Sequence, residues 1–328
     1  MKKIVGSMTV LILFATFVCG CSLWGYRQEA APRNVYKEYL VSDNFEAVSN
    51  FEERLVSCSN SVVTIVSCTN LRLNGEYTSV INLYSGVIIN PNGYLLTSIQ
   101  AALLDVFDGG ETVQKAANEV YAILPDIYND KTQYKLKLVD YDSAAGLALY
   151  CFYDNFYYFT DETKSSLVEG FQFYSVFSGE EIVTGERCAA IGNSLGNILN
   201  GEIENRNAIS YIQTTITSGF VSDNSANAEI FENNDGDGSS RYFIVSAPIN
   251  VDMVGGGLFD SNGYLMGIIA SKVVSSKTEE EDTSSQYLVR VTLIYSSKHA
   301  MKYLQDASDR VKKDIHYFYA VSENSGGN

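Results

Sequence analysis

The sequence predicts an all-β protein flanked by short N- and C-terminal helices, on three observations. From residue 61 to residue 290, short runs rich in Val, Ile, Tyr and Thr alternate with Asn, Gly and Asp turns, the cadence of sandwiches and barrels. The hairpin signature Asn92-Gly93-Tyr94-Leu95 returns as Asn262-Gly263-Tyr264-Leu265, and Asn-Gly between apolar runs is the strongest short hairpin signal. Helical spacing is confined to one stretch ending near Leu55 and one beginning at Tyr295.

Composition bounds the function before any motif does. The 328 residues are 46% apolar, enough for a sizeable core in one or two units. Twenty-three Lys and Arg stand against 39 Asp and Glu, a formal charge of −16. A surface of that sign repels phosphate, so nucleic acid is not an expected partner. Only two histidines occur, His299 and His316, with no Cys or carboxylate cluster at ligand spacing. Neither a metal site nor a cofactor is expected.

Along the chain, Met1-Lys2-Lys3 is a cationic start and Ile4–Val18 an apolar run too short for a comfortable membrane span. Residues 1–20 therefore read as a signal peptide. Val18-Cys19-Gly20-Cys21 resembles the lipobox of bacterial lipoproteins, which implies that Cys21 receives lipid and becomes the mature N-terminus. Two acyl chains suffice for stable anchoring. The expected location is the extracytoplasmic side of a bacterial cell envelope, with the membrane as a partner through the lipid on Cys21. Residues 21–42 are polar and aperiodic, a tether. Behind Asp43, a suitable N-cap, Phe45, Val48, Phe51 and Leu55 recur at helical spacing.

Strands are expected at 61–67, 77–90, 94–98, 120–124, 134–140 and 147–152, then at 187–191, 209–216, 242–247, 257–259, 264–270 and 287–291. Residues 154–178, weakly patterned, bridge two β units. Tyr295–Val311, with Met301, Leu304 and Val311 on one face, is the closing helix. The folded domain is expected to span 43–312, with 313–328 a tail. Cys58, Cys68, Cys151 and Cys188 fit no disulfide framework and are expected to be core thiols.

Five blocks carry a family resemblance: 86–98, the run Asp142-Ser143-Ala144-Ala145-Gly146-Leu147-Ala148-Leu149, then 190–193, 250–258 and 263–268. In order and spacing, over roughly residues 60 to 305, they resemble the HtrA/DegP-type branch of the trypsin-like serine proteases. The resemblance implies a double β-barrel with the active site in the crevice between barrels and a helix at the end. Too few residues follow that helix for the PDZ module many such proteins carry.

The departures fall on the chemistry. Such proteases need a hydroxyl nucleophile, an imidazole to take its proton and a carboxylate to orient the imidazole. At the matching positions the chain has Val254, Gln100 and Gly146. Gln100 neither takes nor gives a proton near neutral pH, and Val254 has no hydroxyl. Asp252 matches the glycine whose N–H helps form the oxyanion hole, where a carboxylate opposes the developing charge.

Two motifs suggest other chemistry. Gly192-Asn193-Ser194-Leu195-Gly196 spells the nucleophile elbow of α/β-hydrolases, but Asn197–Gly201 breaks at once where an elbow needs a helix. Asn233–Gly238 has the opening spacing of a calcium loop, yet Ile244 stands where the closing acid belongs. The acidic run 278–283 reads as a solvated loop.

The expected function is that of an inactive trypsin-like lipoprotein that binds a polypeptide or serves as a scaffold. In active relatives the strand after the Gly-Gly block pairs with extended substrate, and Ile268, Ile269, Ala270 and Ser271 match it, a possible binding edge. The alternatives are a hydrolase using Ser194 with a nonstandard base, and an unrelated structural β-barrel lipoprotein of the envelope.

Overall fold

The computed structural model describes residues 51–73, 76–108, 111–125, 133–152, 171–194, 213–224, 241–277 and 287–320. The signal segment, Cys21, the tether, Asp43, the loop 197–201, the motif 233–238 and the run 278–283 lie outside the described residues.

Helix α1 (Phe51–Ser59) leads into β1 (Val62–Leu73), β2 (Glu76–Ile88) and β3 (Tyr94–Ser98). A 3₁₀ turn at Ile99–Ala101 follows, then a separate two-stranded ribbon of β4 (Leu103–Asp108) and β5 (Glu111–Ala116). Strands β6 (Glu119–Ile123), β7 (Gln133–Asp142) and β8 (Leu147–Phe152) complete a closed barrel in the order β1-β2-β3-β8-β7-β6.

The short β9 (Phe177–Ser178) precedes β10 (Arg187–Ser194), β11 (Gln213–Asp223), β12 (Tyr242–Val245), β13 (Gly257–Asp260), β14 (Leu265–Lys277) and β15 (Tyr287–Ser296). The pairings β13-β10-β11-β12-β15-β14 return to β13, so these six strands close a second barrel. The expected double β-barrel is the observed fold. Full closure leaves no pair of open edges within either ring.

Period-two patterning sorts the apolar residues between two cores. Val63, Ile65, Ile88, Leu95 and Tyr150 belong to one buried cluster. Their alternates Val62, Val87, Leu96, Leu147 and Leu149 pack instead with Ala189, Ile191, Phe259 and Ile268 of the other barrel. The strands of the first barrel are thus apolar on both faces because one face lines the barrel and the other meets its neighbour.

Helix α2 (Ser297–Val311) starts at an N-cap, Ser296, whose hydroxyl accepts the His299 N–H at 3.2 Å. Ala300, Tyr303, Leu304 and Ala307 are buried, and each large apolar side chain among them contributes roughly 1.5–3 kcal/mol. In the last turn Arg310 donates to the Asp140 carboxylate at 2.7 Å. The helix begins two residues later than expected, because Tyr295 remains in the β15 ladder, opposite Tyr242 and Ile268.

Residues 313–320 are not a tail. Ile315 is buried, Asn90 Nδ2 donates to the His316 carbonyl at 2.7 Å, and β16 (Tyr319–Ala320) pairs in parallel with β9. Tyr317 meets Phe177 edge to face, with ring centroids 5.8 Å apart, which holds the strand in place. Cys58, Cys68, Cys151 and Cys188 are unbridged thiols, and burial pushes the Cys58 and Cys188 thiols up to about 12.

Candidate active site

The two barrels meet at the C-terminal end of β3. Thr97 turns its hydroxyl onto the Ser85 carbonyl at 2.7 Å, and Ser98 caps the 3₁₀ turn that carries Gln100. Gln100 is exposed on that turn, with its N–H on the Ser98 hydroxyl at 3.4 Å. The next residue back, Ile99, donates its N–H to the Gly146 carbonyl at 2.9 Å. Gly146 closes the β7–β8 turn with φ 71°, a left-handed conformation that favours glycine.

Val254 approaches from the second barrel. It ends a 3₁₀ turn over Val251–Met253, and its carbonyl accepts the Ser85 N–H at 2.8 Å. Gly255 follows at φ 86°, where a Cβ would run into the Thr97 hydroxyl and the Ser85 carbonyl. The backbone therefore brings Gln100, Gly146 and Val254 to one place, the end of β3, although they are far apart in sequence. The side chain of Val254 is 3% exposed and belongs to the core cluster that includes Met253 and Ile269.

The turn around Val254 also uses one of the groups an oxyanion hole would need, because the Val254 N–H donates to the Val251 carbonyl at 3.1 Å. Asp252 is half-buried, and its carbonyl accepts the Ser85 hydroxyl at 2.9 Å. Ser85 Oγ in turn accepts the Asn193 N–H at 2.8 Å, so one buried serine ties the turn to β10. A donor already committed to its own turn is not aimed at a developing oxyanion.

Residues 84–268, more than half of the chain, match the family model of the trypsin-like peptidase domain. The chain belongs to the trypsin-like peptidase family. No match is found among curated proteins.

Other residues stand differently in this peptidase fold from what their sequence suggested. Ile268 and Ile269 do not offer an open edge. Ile268 pairs with Tyr295 of β15 on one side and Gly257 of β13 on the other. Ile269 exchanges hydrogen bonds with Gly255 and Gly256 at 2.8 and 2.9 Å, and both isoleucines are wholly buried. Beyond Ile269, where the ladder with β15 is bulged, β15 is the one strand paired with β14 among the described residues. Only Ala270 and Ser271 of the expected edge meet that condition. Ser194 ends β10 opposite Gln213.

His299, 153 positions from Gly146 in the chain, lies beside it in the fold. Its Nε2 donates to the Ala145 carbonyl at 2.8 Å, its ring stacks on Tyr295 at 5.5 Å, and it is 4% exposed. Burial pushes the Tyr295 hydroxyl well above the ordinary tyrosine range, with the Tyr242 hydroxyl bonded to it adding to the shift. A hydroxyl so shifted is not poised to exchange protons with a substrate near neutral pH. No group of three or more potential metal ligands occurs among the described residues.

Proposed function

We propose that this trypsin-like peptidase domain is a pseudoprotease of the HtrA-like branch, anchored on the extracytoplasmic side of a bacterial membrane by lipid on Cys21, and that it works by binding a polypeptide or serving as a scaffold. The observation that carries the reading is Val254, a buried hydrocarbon at the position that matches the nucleophile, whose own N–H is spent on the Val251 carbonyl. Gln100 at the position of the base and Asp252 at the oxyanion glycine support it, since an amide does not take a proton near neutral pH and a carboxylate opposes a developing oxyanion. The polypeptide would add a strand along β14 from Ala270 and Ser271, downstream of the stretch that β13 already covers.

Treating the purified chain with a fluorophosphonate probe and with an unfolded protein substrate tests the loss of catalysis. Neither labelling nor cleavage is expected. A labelled serine that disappears on Ser194→Ala would restore the hydrolase reading. Incorporation of radiolabelled palmitate that is lost on Cys21→Ala tests the anchor. Charge or proline substitutions at Ala270 and Ser271 should weaken recovery of the polypeptide partner from envelope extracts, and unchanged recovery would count against edge pairing.

A further inference from the structure

We infer that the seat of the missing carboxylate is filled by Tyr295, and that Gly146 is glycine in order to admit it. This rests on the pseudoprotease reading for the identity of the seat, but the packing stands on its own. Gly146 is held from both sides: its N–H donates to the Asp142 carbonyl at 2.8 Å and its carbonyl accepts from Ile99 at 2.9 Å. The turn cannot swing away to make room. A Cβ built on Gly146 would collide with the Tyr295 hydroxyl and lie 3.0 Å from its ring edge at Cε1. A carboxylate, which is larger, has no space there while Tyr295 keeps its place.

Tyr295 is fixed in turn. It is 8% exposed, lies in the β15 ladder between Ile268 and Tyr242, and packs at 4.9 Å between centroids against the Tyr242 ring. On its other flank stands the His299 ring, whose Nε2 reaches back to the Ala145 carbonyl. The path from Ala145 to His299, to Tyr295 and back to Gly146 is a closed circuit that fastens helix α2 to the β7–β8 turn. The vacated site has become a structural junction. Restoring the three catalytic side chains alone would therefore leave the protein without a usable carboxylate.

A double-mutant cycle on the full chain tests this, with Gly146→Ala, Tyr295→Leu and the double variant followed by thermal unfolding. Contact between the two sites predicts non-additivity. Gly146→Ala should lower the midpoint steeply, and in the Tyr295→Leu background the same change should cost roughly half as much, the remainder being left-handed backbone strain. Additive costs overturn the inference. If Gly146→Ala does not fold, recovery of a cooperative transition in the double variant supports the inference, and continued failure beside a folded Tyr295→Leu overturns it. A second measurement uses the unaltered chain: tetranitromethane should nitrate the exposed Tyr141 and spare Tyr295. Equal nitration means an open seat and overturns the inference even where every variant fails to fold. Fluorophosphonate labelling of the unaltered chain would defeat the pseudoprotease reading without touching this cycle, whereas an additive cycle would defeat the filled seat while labelling stayed absent.

Discussion

The two barrels contain the same hairpin turn, opened by an amide in one and by a carboxylate in the other. In the first, Asn90 Oδ1 accepts the N–H groups of Asn92 and Tyr94 at 3.0 and 3.2 Å. In the second, Asp260 Oδ1 accepts those of Asn262 and Tyr264 at 2.7 and 2.9 Å. Gly93 and Gly263 sit at φ 77° and 85° in the matching place. The amide of Asn90 keeps a donor to spare and gives it to the His316 carbonyl, whereas the carboxylate of Asp260 has none. Buried beside Glu186 and Glu180, Asp260 is pushed up to about 6. A shared turn geometry therefore joins the first barrel to the C-terminal strand and makes the second sensitive to pH.

Breaking the glycines should separate the barrels most. Gly93→Ala adds a left-handed alanine whose Cβ collides with the Phe171 ring, and should cost about 3–4 kcal/mol in denaturant unfolding. Gly263→Ala meets only the Cys58 sulfur, at 3.1 Å, and should cost about 1–2 kcal/mol. Equal costs would mean that the two turns are packed alike.

Exchanging the polar residues should act in opposite directions. Asn90→Asp strips the His316 carbonyl of its donor and buries a charge, and should cost about 2–3 kcal/mol at pH 7. Asp260→Asn should stabilise. The folded chain keeps the Asp260 proton after the unfolded chain has released it, so this contribution is fully present below about pH 4 and is lost as pH rises through about 6. By pH 7 the native chain carries a penalty of at most about 3 kcal/mol that Asp260→Asn removes, and the variant's stability should be flatter between those limits. A profile unchanged by the substitution would place the titrating group elsewhere.

The smallest effect belongs to Arg54, which reaches the second hairpin at the Ser261 carbonyl and Asn262 Oδ1, both at 3.3 Å. Arg54→Ala should cost about 0.5–1 kcal/mol and leave the first barrel's hydrogen exchange unchanged.

Much of the architecture could be read from residues alone because strand period and turn chemistry agree. The expected bounds of strands 94–98 and 147–152 match the observed ones to the residue, each strand following a described turn. The β4–β5 ribbon went unread although Gly109-Gly110 between Asp108 and Glu111 is a hairpin signal, since its flanking residues do not alternate cleanly. Strand β11 was expected to end at Ile216 but runs to Asp223, where outward-facing Phe220, 55% exposed, blurs the alternation. Gln100, Gly146 and Val254 could be found because they stand inside motifs. Tyr295 could not, because its contact with Gly146 spans 149 positions and is made by tertiary packing. The covered state of Ile268 and Ile269 was equally hidden, since the pattern of a strand does not say which of its edges is occupied.

The placement of β16 has a consequence for how the protein comes into being. Its pairing with β9 and the contact of His316 with Asn90 join the last described strand to the first barrel, 226 residues back. A nascent chain therefore cannot finish the domain until residue 320 has been synthesised. The first barrel can close once residue 152 is made, but its Asn90 amide and the apolar face it turns to the second barrel stay uncovered until then, and that interval is when chaperones and proteases would find it.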